Sequence, residues 1–159
     1  MTSDKLKRLI ELADKVFAYK DDPNQIEVND EVRKKLYQIH PMTLSEYRVE
    51  DGPVAWLLLI PTTKELMDQF LKKEISEREL FEKTPIGVKY DSIYLCSALV
   101  LEEYRRKGII KELTQNAING IRKDHPIRSL FVWPFSLEGD LAADKISKEL
   151  DLPLYIRKK

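Results

Sequence analysis

The stretch Ile93-Tyr94-Leu95-Cys96-Ser97-Ala98-Leu99-Val100-Leu101-Glu102-Glu103-Tyr104-Arg105-Arg106-Lys107-Gly108-Ile109-Ile110 decides the fold. Ile93 to Leu101 reads as a strand, because its apolar run is too short for a helix and is rich in strand-forming residues. The charged segment Glu102 to Lys107 ends it. After Gly108 the apolar period lengthens, with Ile110, Leu113, Ala117 and Ile121 at helical spacing. His125-Pro126 closes that helix, since a residue before proline is pushed out of the helical region. A strand therefore feeds a tight basic turn, and the turn opens a helix. The first turn of a helix leaves backbone N–H groups unpaired and carries partial positive charge. A phosphate can bind there. Gly108 allows close approach of the backbone, and Arg105, Arg106, Lys107 and Lys111 add local positive charge. The plainer reading of the same residues is a solvated basic turn with a glycine at a loop–helix junction.

Working outward, Ile127 to Trp133 reads as the next strand and Pro134 to Asp140 as a loop. Leu141 to Leu150 reads as a helix, with Ala142, Ile146 and Leu150 four apart, and Pro153 to Ile156 as a short last strand. Upstream, Leu44 to Val49 and Val54 to Ile60 form a hairpin around Asp51-Gly52-Pro53, the second strand buried on both faces. Pro61-Thr62-Thr63 opens a helix carrying Leu66, Met67, Phe70 and Leu71; a shorter helix spans Ser76 to Phe81, and Thr84 to Asp91 is a loop. At the N-terminus, Ser3 or Asp4 caps a helix with Leu6, Ile10, Ala13 and Phe17, which Asp21-Asp22-Pro23-Asn24 stops. A second helix begins at Asn29 or Asp30, carries Val32, Leu36 and Ile39, and ends at His40-Pro41. No repeat, linker or low-complexity segment breaks the pattern. Residues 1–159 read as one α/β (α+β) domain, a mixed central sheet flanked by helices.

Composition narrows the function classes. The chain is 43% hydrophobic and 34% charged, apolar enough for a core. Acidic and basic residues number 27 each, so no global charge steers it to nucleic acid or anionic lipid, and neither partner is expected. With one cysteine, Cys96, and two histidines, no intrachain disulfide exists and no usual zinc site is expected, hence no metal. Met1 to Lys5 lacks the apolar stretch of a signal peptide, and the longest apolar run, Val54 to Ile60, is too short to span a bilayer. The expected location is the cytoplasm. Cys96, Trp56, Phe131 and Trp133 read as core, and His40 and His125 as helix-end residues.

The residues Val100 to Ile110 resemble the coenzyme-A-binding signature of the GNAT superfamily of N-acetyltransferases. That pattern is Arg or Gln, two residues, Gly, one residue, then Gly or Ala. Arg105 and Gly108 match it, and Arg106 and Lys107 fill the variable places. Ile110 stands where a small residue is usual, and Glu102 where proline is frequent. The strand, turn, helix, strand, helix order from Ile93 to Leu150 is similar to the family's, as is the preceding hairpin. The helical pair Pro61 to Glu82 looks like an insertion between the family's third and fourth strands.

The resemblance implies a GNAT-like three-layer fold, with an acceptor side over residues 1–90 and a coenzyme-A-binding core over 91–159. It implies acetyl-CoA, or another acyl-CoA, as co-substrate, and direct transfer to an unidentified amine. Backbone groups near Ala98 to Leu101, among them Leu99, Val100 and Leu101, would pair with the pantetheine arm, one N–H polarising the thioester carbonyl. Arg105, Arg106, Lys107, Gly108, Ile109, Ile110 and Lys111 would hold the diphosphate. Glu102 and Glu103 are the candidate bases. Ser147 stands where the family's thiolate-protonating tyrosine is expected, and Tyr155 is the nearby substitute. Asp140 falls near a frequent asparagine, and Asp151-Leu152 replaces the usual Gly-Phe. One strand follows the last helix where the family has two, leaving an edge that a second copy in a homodimer would cover. Ser147 and Ile110 also motivate a binder of acyl-CoA that has lost transfer. A third reading is a GNAT-fold interaction domain without ligand.

Overall fold

In a computed structural model of the chain, residues 5, 7–9, 11, 30–50, 52–133 and 137–158 are described. From Asp30 the elements run α1 (Asp30–Ile39), β1 (Leu44–Val49), β2 (Gly52–Thr62), α2 (Lys64–Leu71), α3 (Glu77–Lys83), β3 (Ser92–Val100), a 3-10 turn (Glu102–Tyr104), α4 (Ile109–Asp124), β4 (Ser129–Val132), α5 (Leu137–Leu150) and β5 (Leu154–Ile156). The strands form one five-stranded sheet in the order β1-β2-β3-β4-β5. β1, β2 and β3 pair antiparallel; β3-β4 and β4-β5 pair parallel. Parallel neighbours need a crossover, and α4 and α5 supply the two. This is the mixed sheet flanked by helices that the sequence predicts.

β2 lies between β1 and β3 and is buried along nearly its whole length, which is why its apolar residues do not alternate with polar ones. Thr63 caps α2, accepting the Leu66 N–H at 3.4 Å, and the helix buries Met67 and Phe70. The Phe70 ring lies 4.9 Å from Tyr94, 5.8 Å from Phe131 and 6.3 Å from Trp133, centroid to centroid. Ser76 and Glu79 form a capping box at the start of α3, which buries Leu80 and Phe81. Lys35 ties α1 to the end of α3, donating to Phe81 O at 2.7 Å and Glu82 O at 2.9 Å. α4 buries Ile109, Leu113, Ala117, Ile118 and Ile121 and packs along β1, β2 and β3. At Gly120 a Cβ would come within 3.1 Å of Met42 Cγ, so the glycine lets α4 approach the segment entering β1.

Several expected boundaries move. α5 starts at Leu137, so Leu137 to Asp140 belong to a helix rather than a loop. Gly139 costs only about 1 kcal/mol against alanine in a helix, too little to stop one that buries Ala143 and Ile146. β2 runs from Gly52 to Thr62, taking in Pro53 at one end and Pro61-Thr62 at the other. Pro53 is tolerated because it lies at the strand's start, opposite a register shift between Tyr47 and Arg48. Near the N-terminus, Lys5, Lys7, Arg8, Leu9 and Glu11 are helical, and Leu9 is buried. The expected caps Ser3 and Asp4, the stripe Leu6, Ile10, Ala13 and Phe17, the stop at Asp21 to Asn24, and Pro134 to Ser136 lie outside the described residues. Among the described residues, no further strand pairs with β1 or β5, and no helix is long and apolar enough to cross a membrane.

The histidines sit at the corner where α4 ends. The Met42 N–H donates to His40 Nδ1 at 3.0 Å, so His40 carries its proton on Nε2, which meets Asp124 Oδ2 at 2.7 Å. The Tyr90 N–H donates to His125 Nδ1 at 3.3 Å. Burial first, then the neighbouring His40 and Lys89, lower the His125 pKa below its ordinary 6.5. Protonating Nδ1 would also remove the acceptor for Tyr90. A depressed folded pKa means that the unfolded chain takes up the proton first. Stability is then fully present above about pH 6.5 and is lost as pH falls through the folded value. Asp124, its pKa lowered by the His40 hydrogen bond, stays ionised through this window. Thermal scans between about pH 7.5 and 5.5 should show a falling midpoint, with a shallower fall in His125→Gln, which keeps an acceptor but cannot titrate. Equal slopes for both proteins would contradict this assignment.

Candidate functional site

β3 outruns β4. Their parallel ladder covers only Ser92↔Ser129 to Leu95↔Val132, whereas β3 continues to Val100, still paired to β2. From Cys96 to Val100 the edge facing away from β2 meets no strand among the described residues. At about 3.3 Å per residue this open edge is roughly 17 Å long. The β2–β3 register also shifts between Leu58 and Leu59, leaving Cys96 as the extra residue of a bulge. Bulges of this kind re-aim side chains and terminate pairing. Here the bulge falls where the β4 ladder stops.

The Leu101 N–H donates to Val54 O at 2.9 Å. Backbone direction alternates along a strand, so Leu99 also turns to β2, while Ala98 and Val100 direct their N–H and C=O groups to the open side. Of the expected pantetheine partners, Val100 thus presents its backbone to the open edge. Ala98, also expected there, does the same, whereas Leu99 and Leu101 do not.

The open edge leads into the basic turn. Tyr104 N–H bonds Leu101 O at 2.9 Å, and Arg105 N–H bonds Glu102 O at 3.1 Å. Arg106 and Gly108 then adopt left-handed conformations, with φ of 65° and 76°. For Arg106 this costs about 1–2 kcal/mol; for glycine the cost vanishes. Left-handed residues among right-handed ones curl successive amides into a concave, anion-accepting row. Among the described residues, no backbone carbonyl accepts from the N–H groups of 106–111 in good hydrogen-bond geometry, and the first bond of α4 is Glu112 N–H to Gly108 O at 2.9 Å. A Cβ built on Gly108 meets nothing within 4 Å, so the space before the turn is open.

The turn's side chains divide. Arg105 and Arg106 are exposed, and Lys107 Nζ lies 5.3 Å over the Tyr104 ring. Lys111 is drawn back to α5 by an ion pair with Glu149 at 2.6 Å, which lowers the Glu149 pKa. Ile109 is buried. Ile110, the departure from the expected small residue, packs against the core.

The expected acid–base residues are scattered. Glu102 and Glu103 lie in the 3-10 turn beyond Val100, at the end of the open edge remote from the bulge. Both Glu103 oxygens accept from Arg8, at 2.6 Å each, and this pairing holds the carboxyl at about 2, too low for an effective base near neutral pH. Glu102 is exposed. Tyr155 lies on β5 opposite Phe131, two strands from β3 and 45% exposed. The Ser147 hydroxyl donates to Leu152 O, tying off the end of α5.

A different carboxylate stands at the bulge. Glu77, only 6% exposed, accepts from Tyr94 Oη at 3.0 Å and from Cys96 Sγ at 3.4 Å. α3 brings it there because Glu77 shares a helix face with Leu80, Phe81 and Thr84. Burial, reinforced by Glu77, raises both the Tyr94 phenol and the Cys96 thiol well above their ordinary pKa values. Cys96 is therefore held as a thiol, not as a nucleophilic thiolate. The site that the backbone and side chains assemble is an open strand edge, with an amide-lined turn at one end and a buried carboxylate at the other.

No family model matches the chain, and no curated protein matches it. Among the described residues, no group of three or more His, Cys, Asp or Glu is arranged to hold a metal ion.

Proposed function

We propose that the chain is a coenzyme-A-dependent N-acyltransferase of the GNAT type, taking acetyl-CoA or another acyl-CoA and an amine acceptor. The observation that carries this reading is the open edge of β3 between the Cys96 bulge and the left-handed turn at Gly108. The diphosphate belongs at the amides of 107–111, with Arg105 and Arg106 alongside. The pantetheine arm belongs along Ala98 and Val100. The activated acyl group then ends at the bulge, beside Glu77. The single cysteine, buried and reduced, accords with a cytoplasmic setting.

Transfer needs a neutral amine, held close to the acyl carbon. The amine nitrogen bonds to that carbon as the carbon–sulfur bond breaks. The amine gives up a proton and the departing sulfur gains one. Glu77 and its hydrogen-bonded partner Tyr94 are the groups this reading assigns to carry that proton. Glu102, at the other end of the edge, and Glu103, held by Arg8, are less suited.

The test is release of free thiol from acetyl-CoA across a panel of primary amines. Amine-dependent release is expected, falling by about a hundredfold in Glu77→Gln while acetyl-CoA binding persists. Binding without release under any amine would overturn transfer. It would favour the acyl-CoA-binding reading, which the tied-off hydroxyl of Ser147 supports.

A further inference from the structure

Beside the bulge lies an open cleft of about 280 Å³, lined among others by Lys73, Glu74, Ile75, Glu77, Trp133 and Arg157. Arg157 is placed there by the sheet. Its N–H donates to Val132 O at 2.9 Å, extending the β4–β5 ladder one residue past Ile156. The guanidinium carbon lies 4.4 Å from the centroid of Phe70 and 4.7 Å from that of Trp133. The aromatic faces stabilise the cation but satisfy none of its in-plane donors. Nε and Nη1 are buried without an acceptor, and Arg157 makes no ion pair among the described residues. Buried donors in a folded protein nearly always have a partner, and arginine remains charged at any relevant pH. Where the guanidinium lines the cleft its charge is therefore unpaired, and a planar guanidinium matches a carboxylate.

The same cleft carries the opposite charge at Glu77, the carboxylate at the end of the open edge. A plain amine would leave the Arg157 charge unanswered. A plain carboxylate would meet the acidic wall of Glu74, Glu77 and Glu79. A ligand bearing both charges answers both sides. We propose that this cleft is the acceptor site and that it takes a small zwitterion, an amine that also carries a carboxylate, with the carboxylate on Arg157 and the amine towards Glu77. The role of that amine as acyl acceptor rests on the acyl-transfer reading; the ionic recognition does not.

The test titrates the full chain, without coenzyme A, with glycine, L-alanine, L-glutamate, L-lysine and 4-aminobutyrate at millimolar concentration. Binding is followed by calorimetry and by thermal midpoint. n-Butylamine and butyrate serve as single-charge controls. At least one zwitterion should bind while neither control does. Arg157→Gln should weaken that binding by about tenfold or more, and Arg157→Lys, which keeps the charge and loses the planar fork, should restore it only in part. The ligand-free midpoint of each variant shows that it is folded. No zwitterion bound, butylamine bound as tightly as the zwitterions, or full affinity retained in a folded Arg157→Gln would each overturn the proposal. A protein that binds a zwitterion but not coenzyme A would uphold the cleft and remove only the acyl-transfer reading.

Discussion

Replacing Phe70 with alanine should lower the stability of the domain by about 3–5 kcal/mol. Its thermal midpoint should fall by roughly 6–20 °C. Phe70 is fully buried, and its ring is the point where α2 meets β3 and β4 through Tyr94 and Phe131. The Arg157 guanidinium also rests on it, 4.4 Å away, so a residue beyond β5 depends on the same ring. Truncation removes the transfer energy of the ring and leaves a cavity whose walls belong to several paired strands and cannot readily collapse. It also loosens Tyr94, which donates to Glu77, so the site should suffer along with the fold. Urea unfolding checks this directly, with a lower midpoint at unchanged slope as the expected result. A loss below about 1 kcal/mol would mean that Phe70 is not the centre of the layer it joins.

Gly108→Asp should abolish coenzyme A binding while leaving the protein folded. Aspartate tolerates the left-handed region better than most side chains, and a carboxylate at the first turn of a helix is favourable for the helix itself. Folding therefore has little reason to fail. The side chain would project into the space that is open in front of Gly108, placing a negative charge at the proposed position of the diphosphate. Like charges brought together in a binding site cost several kcal/mol, so affinity should drop by about a hundredfold or more. Gly108→Ala separates the contributions. Its Cβ meets nothing, so it incurs mainly the left-handed strain and should weaken binding far less. Equal loss in both variants would point to altered turn geometry rather than repulsion.

Much of the fold was legible in the sequence because its signals are local. The apolar run Val54 to Ile60 marks a strand with neighbours on both sides, and Ile110, Leu113, Ala117 and Ile121 mark α4. The turn at Arg105 to Gly108 was legible for the same reason. The open edge was not. Ile127 to Trp133 reads as a strand about as long as β3, and only the pairing shows that the ladder stops at Leu95↔Val132. Glu77 offered a signal, a carboxylate on the face that carries Leu80 and Phe81, but Ser76 and Glu79 account for the acids there as a helix start. Arg157 follows the last expected strand with no local pattern to mark it, and only its bond to Val132 O brings it beside Trp133. No local pattern announces that Glu103 is held by Arg8, 95 residues away in the chain.

Thermal unfolding with and without coenzyme A shows whether the turn and the open edge of β3 bind it, because only a ligand that binds the native state raises the midpoint. At a hundred times the dissociation constant the ligand adds about 2.7 kcal/mol. In a domain of this size that is a rise of roughly 5–11 °C. The rise is expected in the wild-type chain and should be absent in a folded Gly108→Asp. No rise at millimolar coenzyme A would contradict the proposed binding, leaving the open edge of β3 and the amide-lined turn without the ligand proposed for them.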